Sequence, residues 1–148
     1  MDFPLQNSVS QALRNEESWD GGLMQMYDAL ANDFQYADPD NLVVFPDNHD
    51  MSRFYVQVGE DADLLKMGLA YFLTTRGIPQ LYYGSEIGMS GNKDKSGDAA
   101  IRQDFPGGWD GDTNNAFTNT GRTVEQKQFF DFTSKLLQWR KTNDAVHF

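Results

Sequence analysis

The sequence predicts an α/β fold: a short parallel sheet with helices on one face. Two observations carry this. Apolar runs too short for helices, at residues 42–45 and 80–83, alternate with longer segments whose apolar residues recur at helical spacing. Turn and stop residues separate each run from the next, and the resulting strand–helix alternation is that of parallel strands joined by crossovers.

Taken in order, Phe3 and Leu5 predict a short strand at residues 2–6, confined by Pro4 to an edge or a strand start. Leu23, Met26, Tyr27, Leu30 and Phe34 predict a helix over 19–35, capped by Ser18. Asp38-Pro39-Asp40-Asn41 breaks the chain before the strand at 42–45. A helix follows over 61–75. Its stripe of Leu65, Leu69, Phe72 and Leu73 is widened by Leu64 and Tyr71, so it packs on more than one side. Gly77 and Pro79 end it, and Gln80-Leu81-Tyr82-Tyr83 reads as a strand closed by Gly84.

Residues 88–122 are rich in Gly, Asp, Asn and Thr and read as a long surface loop with room for a short helix; such loops are usually functional or mobile. The last helix spans 123–142. Thr123 and Gln126 form a capping box, and Phe129, Phe132, Leu136 and Trp139 give a buried stripe. Three strands cannot close a barrel, so one sheet face is expected to lie bare.

At 148 residues the chain is one ordinary domain or part of a larger one. Its net charge of −10 argues against nucleic acid or an anionic membrane as partner. The absence of cysteine excludes disulfides and thiolate metal sites. No basic, apolar leader opens the chain and no window approaches a membrane span, so it reads as soluble or as a piece of a longer protein, with the compartment open.

Directly after the strand at 42–45 come Asn48, His49 and Asp50. Working residues of α/β folds gather where strands end, but Pro, Asp and Asn also make a plain strand-to-helix turn. Both readings fit the spacing.

Phe45-Pro46-Asp47-Asn48-His49-Asp50 resembles the Asn-His-Asp motif after the seventh barrel strand of the α-amylase family, glycoside hydrolase family 13. The stretch from Gly77 through Ile78-Pro79-Gln80-Leu81-Tyr82-Tyr83-Gly84-Ser85-Glu86 to Met89 resembles its eighth-strand motif. Arg102-Gln103-Asp104-Phe105-Pro106-Gly107-Gly108-Trp109 is similar to the loop that follows, and Leu137-Gln138-Trp139-Arg140 to the final barrel helix. The pattern is most like the cyclomaltodextrinase and neopullulanase branch. The resemblance implies that residues 1–148 are the last three βα units of a (β/α)₈ (TIM) barrel, with residues 1–6 as the sixth strand. It also implies a retaining enzyme whose nucleophile follows strand four and whose acid/base follows strand five; neither strand has a counterpart here.

By the same resemblance Asp50 is the third family carboxylate, which stabilises a flattened, oxocarbenium-like transition state through sugar hydroxyls. The plain alternative is a helix-initiating aspartate. His49 matches the motif histidine that contacts sugar. Asn48 joins the substrate-binding candidates, though it suits orienting the turn better. Arg53 reaches a distal sugar or, as favoured, pairs with a local acid. Trp109, Phe105 and Phe54 stack on sugar or pack internally.

Glu86 past the second apolar run invites pairing with Asp50 as two glycosidase carboxylates, but its family counterpart supports the barrel rim. Arg102-Gln103-Asp104 is expected to shape the cleft rim. Asp110-Gly111-Asp112-Thr113-Asn114 opens like a calcium loop, yet Asn115 and Gly121 stand where that loop needs Gly and Glu, so no metal is expected, and no cofactor. The implied partner is an α-glucan oligosaccharide. The rival reading is a catalytically incompetent sugar-binding or interaction fragment. A flavodoxin-like binder would need a Gly-rich turn that Gln6-Asn7-Ser8 does not offer. Open strand edges and the uncovered sheet face predict self-association, or poor folding of the chain alone.

Overall fold

Two strands, β1 (Val43–Val44) and β2 (Ile78–Pro79), run parallel in the computed structural model, which describes residues 1–146. Val43 pairs with Ile78 and Val44 with Pro79. Among the described residues six α-helices surround them: α1 (Phe3–Ala12), α2 (Met24–Ala31), α3 (Phe54–Gln57), α4 (Ala62–Thr74), α5 (Lys93–Ile101) and α6 (Val124–Lys141).

The chain's start corrects the expected strand at 2–6. Asp2 extends the sheet by one bond, its amide donating to the Val43 carbonyl at 2.8 Å. Helix begins at once: Asp2 Oδ1 accepts the Leu5 amide at 3.0 Å, and Pro4 sits in the first turn, where a missing N–H costs nothing. The proline that reads as a strand limiter is a helix starter. Asp2 Oδ2 also takes Arg76 Nη1 at 2.7 Å, while Arg76 Nε bonds Asp33 at 2.7 Å. One guanidinium thus ties the start of α1 to the segment after α2 and to the loop before β2.

The helix expected over 19–35 shrinks to α2 and a following 3-10 turn, Asp33–Gln35. Met26 and Leu30 pack on the core, whereas Tyr27 and Phe34 stay exposed. In α4, Asp61 caps the start by accepting the amides of Asp63 and Leu64, and Leu65, Leu69, Phe72 and Leu73 are buried. Gly77 then lets β2 approach β1: a Cβ there would lie 2.6 Å from the Leu42 carbonyl oxygen, on a backbone with φ +91°.

Pairing stops sooner than the run at 80–83 suggests. Ile78 and Gln80 donate to the Leu42 and Val44 carbonyls, both at 2.8 Å. Pro79, lying between these donors, needs no N–H and sits safely in the strand. Tyr82 and Tyr83 turn away before Gly84. The sheet of the described residues therefore has two strands, not three.

α5 fills part of the 88–122 loop and is kinked at Gly97. α6 carries the expected Thr123–Gln126 capping box. Its buried side centres on Phe129 and Thr133, and Trp139, read as part of that stripe, is 43% exposed. Arg140 fastens the far end of α6 to the Leu73 and Gly77 carbonyls.

Val44 faces a core of Leu5 and Val9 from α1, Phe54 from α3, Leu65, Leu69 and Phe72 from α4, and Phe129 from α6. On the opposite side Val43 is half-buried and Ile78 is exposed, while Phe45 is covered by Phe3, edge-on at 5.0 Å.

The contact between α4 and α3 generates a prediction against helix propensity. Alanine at an exposed helical glycine gains roughly 1 kcal/mol. At Gly68 the new methyl would meet Phe54 Cε1 at 2.3 Å, and overpacking costs about 1–3 kcal/mol. Gly68→Ala is expected to lower the urea midpoint; an unchanged or higher midpoint would show that Phe54 yields freely.

Candidate functional site

β1 ends at the turn Phe45-Pro46-Asp47-Asn48-His49-Asp50, and this turn is built from the inside out. Asp47 is 1% exposed. Its Oδ2 accepts the Phe54 amide at 2.8 Å, which starts α3, and its Oδ1 accepts Ser85 Oγ at 2.7 Å, which ties down the segment after β2. Arg53 Nε stands 3.3 Å from Oδ2. Burial pushes the Asp47 carboxyl above its usual value, and the Arg53 charge, the Phe54 amide and the Ser85 hydroxyl offset that only in part.

Arg53 is equally buried, which corrects its place among the sugar-binding candidates. It pairs with a local acid, Asp47. Its Nη2 donates to the Tyr83 carbonyl and its Nη1 to the Ile101 carbonyl at 3.4 Å, with the guanidinium 4.3 Å from the centre of the Tyr82 ring. No face remains for a ligand. Phe54 takes the packing alternative: it is fully buried, edge-on to Phe72.

Asn48 is buried too, and its Oδ1 accepts the Asp50 amide at 2.8 Å, the local turn bond expected of an orienting asparagine. Gln6, from α1, donates to the Pro46 carbonyl at 2.8 Å. These bonds leave His49 and Asp50 projecting outward, with side chains 64% and 63% exposed and His49 Nε2 3.3 Å from Asp50 Oδ2. From outside, Arg102 Nη2 reaches Asp50 Oδ1 at 3.0 Å and Lys93 Nζ donates to the Asp50 carbonyl at 2.7 Å. Chemically, the arrangement presents one accessible carboxylate and one imidazole to a polar ligand rich in hydroxyls.

Trp109 is exposed on a separate turn whose backbone is braced by Asp112 Oδ2, the acceptor of the Gly107 and Trp109 amides. That carboxylate lies in the calcium-like stretch, and the described residues hold no cluster of three or more His, Cys, Asp or Glu fit for a metal. Phe105 packs on Phe117, ring centres 4.5 Å apart. Glu86 is half-buried on the 3-10 turn Ser85–Ile87, in an apolar groove with Phe130 and Leu137 of α6. Sequence reasoning missed Asp47, Ser85 and Lys93; the one available signal was an aspartate placed straight after a buried strand. No helix among the described residues is long and apolar enough to cross a membrane.

The family profile described as alpha amylase, catalytic domain, matches residues 1–147. A cyclomaltodextrin glucanotransferase of Thermoanaerobacterium thermosulfurigenes is 32% identical over 146 residues, 99% of this chain and 17% of that protein. An alpha-amylase of Niallia circulans is 33% identical over 146 residues, 99% of this chain and 24% of that protein. The structure of an alpha-amylase from Geobacillus thermoleovorans complexed with acarbose superposes with a TM-score of 0.67 at 27% identity, covering 97% of this chain and 28% of that one. The chain thus spans about a quarter or less of the curated relatives it matches here.

The buried carboxyl gives a pH prediction. Because the folded value of Asp47 is raised above the ordinary 3.8, the native state takes up a proton before the unfolded chain does. Asp47's contribution to stability therefore grows as pH falls from its raised value towards 3.8. The stability of the parent chain relative to Asp47→Asn is expected to rise on acidification through that window, measured by urea unfolding. A fall would mean that Arg53 outweighs burial.

Proposed function

The chain belongs to the α-amylase catalytic-domain family, and on that premise we propose that it forms the last three βα units of a retaining glycoside hydrolase barrel acting on α-1,4-glucans or cyclomaltodextrins. Asp50 is the carboxylate that steadies the oxocarbenium-like transition state, and His49 binds hydroxyls of the same sugar. Within the family we place the chain with the cyclomaltodextrinase and neopullulanase branch, on the resemblance of residues 45–50 and 77–89. Cyclomaltodextrin glucanotransferases and α-amylases stand among its relatives.

The observation that carries this reading is the contrast within one turn. Asp47 and Asn48 are buried and spent on structure, while Asp50 and His49 beside them are held outward at the end of β1. A helix-initiating aspartate would cap α3 with its own side chain; that role belongs to Asp47, which accepts the Phe54 amide. Asp50 is therefore not spent on capping, and its side chain stays exposed. Trp109, exposed on its own turn, is a candidate for stacking on a more distant sugar.

The nucleophile and the acid/base fall outside the motifs matched here, so the chain by itself lacks both the covalent step and leaving-group protonation. It is expected to release no reducing sugar from maltooligosaccharide or cyclodextrin above a blank. Release abolished by Asp50→Asn would refute this. In the complete enzyme Asp50→Asn is expected to lower kcat by orders of magnitude with little change in KM, because its bonds strengthen in the transition state. Equal losses in binding and turnover would reduce Asp50 to an anchor.

We further propose that the chain alone self-associates. Ile78, Tyr27, Phe34 and Trp19 are exposed apolar side chains, the last by 97%, and β2 has an open edge. Light scattering is expected to report a dimer or larger species. A cooperatively unfolding monomer at high concentration would contradict it.

A further inference from the structure

Arg102 stands at the end of α5 and divides its guanidinium between two parts of the site. Nε donates to the His49 carbonyl at 2.9 Å, and Nη2 reaches Asp50 Oδ1 at 3.0 Å. Asp98, one turn back on α5, meets the same Nη2 at 3.1 Å and partly offsets its charge. At the opposite end of α5, Lys93 donates from Nζ to the Asp50 carbonyl at 2.7 Å and from its amide to Ser52 Oγ at 2.9 Å. The helix straddles the turn and fastens it at both ends. Asp50 Oδ2 has His49 Nε2 at 3.3 Å, so both carboxylate oxygens are engaged although the side chain is exposed.

Resting on the reading of Asp50 as the sugar-facing carboxylate, we infer that Arg102 is a positioning residue for it, fixing the orientation of the carboxylate and the backbone of the turn together. The role needs the planar fork of arginine. Nε faces a carbonyl while Nη2 faces a carboxylate, a two-nitrogen fork that the point-like ammonium of lysine does not reproduce. Arg102 thereby does more than shape a rim: it braces the exposed half of the turn from outside, at the His49 carbonyl and the Asp50 carboxylate.

Hydrogen exchange on the full chain tests this. The Asp50 amide is held by Asn48 Oδ1, so loosening of the turn exposes it. Arg102→Gln is expected to speed exchange at the Asp50 amide by about fivefold, the scale of an exposed charge clamp. The Phe129 amide in α6 should be unchanged, and Arg102→Lys should recover only part of the protection. An unchanged Asp50 amide overturns the inference. So does equal acceleration at Phe129, which marks a general loss of stability, and so does full rescue by lysine. The glucan reading stands or falls separately: if Asp50→Asn leaves the turnover of the complete enzyme intact, that reading fails, while hydrogen exchange at the Asp50 amide still decides whether Arg102 clamps the turn.

Discussion

The buried pair of Asp47 and Arg53 is the constraint on which the rest of this fold depends. The sheet has two short strands among the described residues and cannot by itself fix the loops that leave it. Asp47 and Arg53 do so with polar bonds. Between them they hold the Phe54 amide, the Ser85 hydroxyl, and the carbonyls of Tyr83 and Ile101, and the Arg53 amide donates to the Gly91 carbonyl at 2.9 Å. The segments after β1 and β2 and the end of α5 are thus gathered on one ion pair. Truncating Arg53 strands the Asp47 carboxylate in the interior, at a cost of about 3–5 kcal/mol, against a total stability of roughly 5–15 kcal/mol for a domain.

From that anchor the exposure of the turn follows by position. The turn is rigid at Asp47 and Asn48, so the next two residues are aimed rather than loose. His49 and Asp50 stand outward in the place where parallel strands present working groups. Their exposure suits a polar ligand, and α5, through Arg102 and Lys93, closes the outer side of the turn. The same sequence stretch separates two fates that composition alone does not distinguish: one aspartate is buried as structure and another, three residues on, is left exposed.

Features encoded locally were legible in the sequence. The Thr123–Gln126 capping box, the broad apolar stripe of α4, the apolar run around β1 and the stop at Gly77 all depend on neighbours within a few residues. The Asn48-His49-Asp50 cluster was visible for the same reason. What stayed hidden depends on distant partners. Pro4 has the same chemistry at a strand edge and in a helix's first turn, and the Asp2 side chain, bonded to Leu5 and Arg76, decides for the helix. Tyr82 and Tyr83 look like strand residues, but they border the Arg53 guanidinium instead of extending β2. Arg53 and Phe54 follow a polar turn directly, where burial is not expected; Phe54 is enclosed by α4, and Arg53 by the segment after β2 and the end of α5. Trp139 keeps helical spacing with Phe129 yet drifts off the buried face near the end of α6.

The anchoring role of the pair is tested most directly by a double-mutant cycle between Asp47 and Arg53, using Asp47→Asn and Arg53→Met, read by urea unfolding at neutral pH. If the pair is the anchor, each single change strands its partner and the double change strands neither charge, so the cycle should show a coupling of about 2–3 kcal/mol. Effects that add to within about 0.5 kcal/mol would contradict it, and would mean that the turn carrying Asp50 is held without the pair.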